Sequence, residues 1–208
     1  VRTEEACASD YLPTPDTIGE TSSLDEINVL PYLADTELSV FAEAAVSKYI
    51  QAGGRPGVVA SLRARGISPY PKLFAIRHEI HGSGIRIRDF QYLIANTAGL
   101  GGGFLSEGIS VGGKKRACRL PVRLGLTDAV LAFFGYYIAE GNAQDRYVII
   151  ANRHPVIRER IEAALTELGL PFFIRQSSDY QISSAALTCL LRNSCGSTAA
   201  HKRLPDFW

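Results

Sequence analysis

The 208-residue sequence contains no methionine, few cysteines and no long apolar run. A complete gene product normally begins with methionine, whereas this chain begins with Val1, so we expect a fragment or an excised segment. No stretch approaches the roughly 18 apolar residues of a membrane span. The acidic start, with Glu4 and Glu5, lacks the basic and apolar regions of a signal peptide. These absences predict an intracellular protein.

The four cysteines form no C-x-x-C pair and have no histidine at zinc-finger spacing; they are Cys7, Cys118, Cys189 and Cys195. We expect reduced thiols with packing roles, and a disulfide or a metal site is the alternative. The hydrophobic fraction of 46% and the charged fraction of 21% are those of an ordinary globular protein, so neither indicates a function.

The net charge of +1 hides an uneven distribution along the chain. Residues 1–50 contain two lysines and arginines against ten acidic residues, and residues 51–123 contain twelve against three. The two signs balance, eight each, in residues 124–208. A basic block of this size suits contact with a polyanion, because each neutralised phosphate releases counterions. A solvated basic face is the alternative.

The first half of the chain is predicted to be a tail followed by a helical module. Residues 1–23 are polar and punctuated by proline, which indicates a tail or linker. Apolar residues at helical spacing predict a helix that ends at Gly53 and Gly54; they are Val40, Phe41, Ala44, Ala45 and Tyr49. Arginine-rich short helices over residues 58–68, 70–80 and 89–95 resemble a helix-turn-helix-like accessory module. We therefore predict a small, mostly helical basic region over residues 24–113, closed by a flexible glycine-rich hinge from residue 99.

The second half, residues 114–208, predicts an α+β unit. Strands are expected over residues 120–124, 146–152, 172–176 and 180–183, and helices over residues 129–139, 155–169 and 185–191. Thr127 is the expected N-cap of the first helix, and Pro155 the first residue of the second. The predicted core face of the second helix consists of Val156, Ile157, Ile161, Ala164, Leu165 and Leu168. This order predicts helices on one face of an antiparallel sheet whose other face is free.

The first of these helices is apolar on nearly every side and ends in a specific motif. Residues 133–141 read FFGYYIAEG. This segment resembles the LAGLIDADG nonapeptide of homing endonucleases, in the form associated with inteins. Gly135, Ala139, Glu140 and Gly141 match its first glycine, small residue, acid and last glycine, whereas Ile138 replaces its first aspartate. Downstream, residues 195–207 resemble the closing signature of the family, a glycine followed by Lys-x-Ile/Leu-Pro-x-Phe.

The resemblance covers residues 114–208 and implies a LAGLIDADG half-domain, an αββαββα unit with a saddle-shaped sheet. It implies that Gly135 and Ala139 allow close packing of two such helices, as small residues four apart do elsewhere. Glu140 and Gly141 are then the expected Mg²⁺ site, and Lys202 the lysine that acts on the attacking water and the phosphate. The activity implied is site-specific cleavage of double-stranded DNA, as in the homing endonuclease region of an intein.

DNA contacts are expected from two sets of residues. Polar side chains of the sheet region suit base edges and phosphates; they are Arg146, Asn152, Arg175, Gln176 and Gln181. Basic residues of the preceding region suit phosphates; they are Arg63, Arg65, Lys114, Lys115 and Arg116. The spacing of His78 and His81 favours surface or phosphate-contacting histidines over a metal site.

Single-chain members of the family need two nonapeptides, and this sequence has one. The expected partner is therefore a second LAGLIDADG half, either downstream in the same chain or in a homodimer. Without it, the helix over residues 131–139 should lie exposed at the edge of the fold. Two alternatives stay open: a non-catalytic LAGLIDADG-derived DNA-binding regulator, and a homodimeric nuclease or maturase. Protein splicing is not expected, because residue 1 is no nucleophile and the terminal His-Asn pair is missing.

Overall fold

The chain is an α+β protein with short antiparallel strands and six α-helices among the residues that the computed structural model describes. These residues are 25–34, 36–42, 45, 48–69, 84–98, 100, 108–113, 118–175 and 178–207. The predicted α+β class is confirmed at this level. The tail over residues 1–23, the predicted helix over residues 70–80, Lys114, Lys115, Arg116, Gln176, His78 and His81 lie outside the described residues.

The first half contains both strands and helices. Its elements are β1 (Glu26–Asn28), α1 (Leu30–Leu33), β2 (Ser39–Phe41), a π-helical turn (Ile50–Gly54), α2 (Arg55–Ala64), β3 (Ile85–Arg86), α3 (Ile87–Asn96) and β4 (Ser110–Gly112). The predicted break at Gly53 is present, since Gly53 has a left-handed φ of 92°. The helical path nevertheless resumes at once in α2.

The region over residues 24–113 contains short strands, which the sequence did not predict, beside its helices. Val40 and Phe41, which were expected in a helix, lie in β2 at the interior of a sheet with the order β3-β2-β4-β5. Val40 pairs with Ile85 and Val111, and all three side chains are buried. Likewise Ser110–Gly112, expected within a flexible hinge, is a strand. Strands of two or three residues are too short to display an alternating pattern, so the spacing of apolar residues misled the prediction.

The second half follows the predicted order closely. Its elements are β5 (Leu120–Pro121), β6 (Arg123–Gly125), α4 (Asp128–Glu140), β7 (Gly141–Ala143), β8 (Val148–Ala151), α5 (Pro155–Glu167), β9 (Phe172–Arg175), β10 (Asp179–Ile182) and α6 (Ala185–Cys195). From α4 onward this is an αββαββα succession. Helix α6 continues past the predicted end at residue 191, and Val156 is 50% exposed, so it does not belong to the core face.

The four-stranded sheet β7-β8-β10-β9 has two different faces. Tyr180 pairs with Ile150 and Ile174, and the buried side chains of Tyr180 and Ile150 point toward the helices. The alternate positions of the same strands point the other way. They form two cross-strand rows: Asn142, Ile149, Gln181 and Phe173 in one, and Ala151, Asp179 and Arg175 in the other. We call this the open face.

The two halves share one hydrophobic core within the described residues. Strand β1 pairs with β6, and β4 pairs with β5, so hydrogen bonds join strands on either side of residue 114. Helix α1 packs on α6, where the Asn193 side chain donates a hydrogen bond to the Tyr32 carbonyl. The division into residues 1–23, 24–113 and 114–208 stays a prediction, but the described parts of residues 24–113 and 114–208 pack together. In the described part of the chain no helix is long and apolar enough to cross a membrane.

Candidate functional site

Residues 133–140 form the C-terminal part of helix α4, and Gly141 follows its end. The Thr127 hydroxyl accepts a hydrogen bond from Val130 N at 3.3 Å, so the predicted N-cap is confirmed. The buried stripe consists of Val130, Phe133, Phe134 and Tyr137. The opposite side carries Leu131, Gly135 and Ile138, which are partly exposed, and Ala139, which is exposed. Residues 131–139 were expected to lie exposed at the edge of the fold, but Ala139 is their only exposed residue, and Phe133, Phe134 and Tyr137 are buried.

Glu140, the last residue of α4, lies exposed at a shallow pocket of about 310 Å³. The pocket is lined by Glu140, Ala151, Asn152, Arg153, Ser178 and Asp179. Asn152 and Arg153 follow β8, whereas Asp179 begins β10 directly opposite Ala151. The fold therefore gathers a helix end, a loop and a hairpin turn around the predicted acid.

The pocket contains oxygen ligands of the kind that Mg²⁺ prefers. Two acidic residues, Glu140 and Asp179, line the same pocket, and Mg²⁺ is usually bound by one or two carboxylates together with phosphate oxygens. Among the described residues no group of three or more His, Cys, Asp or Glu side chains is present. The side chains fit a cation that shares its coordination with a phosphate, and they do not form a closed protein cage.

Asn152 and its neighbours are held by local hydrogen bonds. The Asn152 carboxamide oxygen accepts from His154 N at 2.9 Å, and Asn152 N donates to Ser178 O at 3.2 Å. The Ser178 hydroxyl donates to Asp179 Oδ1 at 3.1 Å. Because its oxygen already accepts a hydrogen bond, Asn152 is better suited to donate from its amide nitrogen to a phosphate or base than to coordinate a metal.

Lys202 lies at the same end of α4 but does not line the pocket. Its ammonium donates to the Tyr137 carbonyl at 2.8 Å and lies 3.0 Å from the centroid of the Tyr137 ring. A cation at a helix C-terminus interacts favourably with the helix dipole. Burial lowers the pKa of Lys202 to about 8, and the nearby Cys195 opposes this shift. The ammonium is thus a cation that loses its proton in a mildly alkaline solution.

Gly141 allows Tyr137 and the end of α4 to pack closely. Its backbone N–H donates to the Tyr137 carbonyl, which accepts from Lys202 as well. A Cβ at Gly141 would lie 2.3 Å from the Tyr137 ring and 2.5 Å from the Tyr137 carbonyl oxygen. Glycine is therefore required at position 141 by the close approach of Tyr137.

The segment that carries Lys202 also closes the end of α6. The Arg203 guanidinium donates to Ser194 O at 3.1 Å and to Asn193 O at 2.8 Å. These carbonyls belong to the last turn of α6, which has no further intrahelical donors. Lys202 thus binds the C-terminal end of α4, and the adjacent Arg203 binds the C-terminal end of α6.

The open face places some of the predicted DNA-contacting residues together. Arg175 and Gln181 both lie on it, and Arg175 Nη1 donates to Gln181 Oε1 at 3.2 Å. Arg146 lies apart, exposed in the turn between β7 and β8. Phe173, which is 49% exposed, adds an apolar surface beside Gln181.

Of the predicted basic residues in the first half, Arg63 and Arg65 are described, and both are exposed at the C-terminal end of α2. Arg65 is 3.5 Å from the Asp89 carboxylate and 5.3 Å from the centroid of the Tyr92 ring. Its charge is thus partly offset by α3. Arg63 is the better phosphate candidate of the two.

Three site residues escaped the sequence-based prediction: Arg153, Asp179 and Tyr137. Asp179 and Arg153 join the pocket because β8 and β10 are neighbours, and strand pairing is not visible in a single sequence. The sequence pattern assigned no role to Tyr137. Its position four residues before Gly141 could have indicated contact with the helix end.

Three of the four cysteines lie among the described residues. Cys118, Cys189 and Cys195 are free thiols, and burial raises the pKa of Cys189 and Cys195. A buried thiol of raised pKa is a poor nucleophile, which agrees with a packing role.

Comparison with known proteins assigns the chain to no family. The chain matches no protein-family model and no curated protein. The LAGLIDADG resemblance therefore rests on residues 133–141 and 195–207. Function has to be argued from the site itself, because an α+β fold hosts many activities.

Proposed function

We propose that the chain is one half of a LAGLIDADG-type, metal-dependent endonuclease that cleaves double-stranded DNA. The observation that carries this proposal is the pocket at the end of α4, where Glu140 lies beside Asp179, Asn152 and Arg153. Carboxylates and cationic or amide donors in one shallow pocket suit a phosphodiester with its associated cation. A buried small-molecule site would be more enclosed and more apolar.

The residues of the pocket would then divide into cation ligands and phosphate-binding groups. Glu140 and Asp179 would hold Mg²⁺, while Arg153 and the Asn152 amide would bind phosphate oxygens. A bound divalent cation would supply a water molecule activated for attack and neutralise charge on the phosphate. The Lys202 ammonium lies at the same end of α4 but outside the pocket, so it would act on the reacting phosphate through its positive field and not through direct contact.

The open face supports duplex DNA as the substrate. Arg175 and Gln181 lie on the same face, where a guanidinium and a carboxamide can contact phosphates and base edges. The face is continuous with the pocket, because Asp179 belongs to both. A duplex that lies on the sheet would therefore bring a phosphate to Glu140.

The decisive experiment separates DNA binding from cleavage. Duplexes selected from a random-sequence pool by binding to the chain are incubated with Mg²⁺ or with a chelator, and strand breaks are mapped. We expect Mg²⁺-dependent breakage of at least one strand. Glu140→Gln should abolish breakage while it changes the dissociation constant by less than about threefold, because the uncharged side chain still fills the same space.

Glu159→Gln is the matched control, since Glu159 is an exposed acid on α5 outside the pocket. It should cleave as the unaltered chain does. If the chain binds duplexes but Glu140→Gln and the unaltered chain are equally inactive, the DNA-binding regulator becomes the better interpretation. Failure to bind any duplex would refute the proposal.

A further inference from the structure

Tyr137 contacts Lys202 and its supporting loop through three different groups. The side chain is fully buried at 0% exposure, on the inner side of α4. The carbonyl accepts the Lys202 ammonium at 2.8 Å, and the ring lies 3.0 Å below the same ammonium. The hydroxyl donates to the Gly196 carbonyl at 2.6 Å. No other described residue combines these contacts with Lys202.

The hydroxyl contact reaches the beginning of the loop that carries Lys202. Gly196 ends α6 with a φ of +85°, and a Cβ there would lie 2.0 Å from the His201 carbonyl oxygen. Arg203 N donates to Cys195 O at 3.0 Å and closes the loop at its base. The loop from residue 196 to 202 is therefore tightly folded, and Tyr137 ties one of its ends to α4.

We propose that Tyr137 is the positioning residue of Lys202: its hydroxyl anchors the loop, and its ring and carbonyl hold the ammonium at the C-terminal end of α4. The inference rests on the proposed catalytic use of Lys202, but its structural part is independent of DNA cleavage. A cation over an aromatic ring is attracted by the electrons of that ring, and the carbonyl at a helix end adds a directed acceptor.

The arrangement accounts for the environment of Lys202. Holding the ammonium against a buried ring removes it partly from water, which lowers its pKa to about 8. When the anchor at Gly196 is lost, the loop can move and the flexible lysine can return to solvent. The pKa of Lys202 then rises toward the ordinary lysine value.

The first test follows Lys202 by nuclear magnetic resonance in the chain without DNA. The sequence has five lysines, so ¹³C-labelled lysine gives few signals, and Lys202→Arg assigns the one of interest. In the unaltered chain the Lys202 ε-methylene protons should be shifted upfield by the Tyr137 ring and should titrate near pH 8. Resonances of Lys202 that coincide with those of the other lysines would overturn the proposal without any variant.

The second test uses Tyr137→Phe, which keeps the ring and the carbonyl and removes the hydroxyl. We expect the titration of Lys202 to move to higher pH and its upfield shift to decrease. Tyr136→Phe is the matched control, because Tyr136 is the adjacent, half-buried tyrosine of the same helix. It should leave Lys202 unchanged, and identical Lys202 titrations in the two variants would refute the anchoring role.

The cleavage measurement then separates this inference from the proposed function. Tyr137→Phe should slow Mg²⁺-dependent cleavage by roughly tenfold, the effect of about one hydrogen bond, and leave DNA binding unchanged. If the chain cleaves no DNA but Lys202 responds to Tyr137→Phe, the function is wrong and the positioning role stands. If cleavage is normal in Tyr137→Phe, Tyr137 does not position Lys202 for the reaction.

Discussion

At the scale of single residues, Gly141 illustrates how close packing determines the end of the motif helix. The Tyr137 ring and carbonyl occupy the space that any side chain at Gly141 would need. The backbone of Gly141 has a φ of −84°, which any residue can adopt. Glycine is required here because a side chain would have no space, and not because of the backbone conformation. The Tyr137 carbonyl also accepts the hydrogen bond of the Lys202 ammonium. The packing at Gly141 and the position of Lys202 therefore depend on the same residue.

Gly141→Ala should lower the free energy of unfolding by about 1 to 3 kcal/mol, because the added methyl group overpacks the contact with Tyr137. Urea denaturation followed by circular dichroism measures this. Gly125→Ala is the control, since nothing lies within 4 Å of a Cβ at Gly125, and it should change stability by less than about 0.5 kcal/mol. Equal effects of the two substitutions would contradict the packing argument.

Lys202 should give the cleavage reaction an alkaline limit. Its lowered pKa of about 8 means that the ammonium is present below this pH and is lost as the pH rises through it. Single-turnover rates should therefore fall about tenfold per pH unit once the pH exceeds that value. Lys202→Arg keeps its charge in this range and should remove the fall, even if its rate is lower. A rate for the unaltered chain that stays constant up to about pH 9.5 would exclude a role for the Lys202 charge.

At the scale of secondary-structure elements, α4 shows a division between a buried and an accessible side. Aromatic residues such as Phe133 and Phe134 face the core, whereas Gly135 and Ala139 lie on the accessible side. Small residues four apart allow another helix to approach closely. This supports the proposed docking of a second half, or of a second copy of the chain, along α4.

If the partner is a second copy of the chain, Ala139→Trp should weaken self-association at least tenfold, because the indole prevents close approach of two α4 helices. Sedimentation velocity over a range of chain concentrations measures the association. Ala163→Trp provides the control, as Ala163 is an exposed alanine on the outer side of α5, and it should associate like the unaltered chain. Association that is insensitive to both substitutions would place the partner surface elsewhere.

At the scale of the whole molecule, two features suit a polyanion: the excess of basic residues over residues 51–123 and the polar side chains on the open face of the large sheet. Within the basic block of residues 51–123, strand β4 contacts helix α6 of the second half. The open face of the large sheet adds Arg175 and Gln181. Binding to a polyanion such as DNA is therefore expected to depend strongly on salt.

Arg175→Ala should reduce the slope of log K against log salt concentration by about one, as expected for one lost phosphate contact. Gel-shift titrations on selected duplexes measure the slope. Arg160→Ala is the control, because Arg160 is an exposed arginine on α5, away from the open face. Equal slopes for Arg175→Ala and the unaltered chain would show that the open face does not contact phosphates.

The elements of residues 120–207 were largely predictable from the sequence, because local signals mark their ends. Thr127 caps α4, Pro155 begins α5, and Gly169 ends it with a left-handed φ of 63°. Each of these effects acts within a few residues, so a single sequence displays them. Glu140 was identified in the same way, from a motif contiguous in the chain.

The tertiary structure decided what depends on distant residues. Strands β2 and β4 exist because Val40 and Val111 pair across about 70 residues of chain and share a buried row, and neither strand is long enough to show a pattern of its own. Pairing of β8 with β10 brought Asp179 to Glu140 and determined which residues occupy the open face. Folding of the loop from Gly196 to Lys202 onto Tyr137 determined the environment of the lysine. Capping and turn residues determine where helices begin and end, and they act within a few residues. Strand register and burial depend on contacts between segments that are far apart in the sequence.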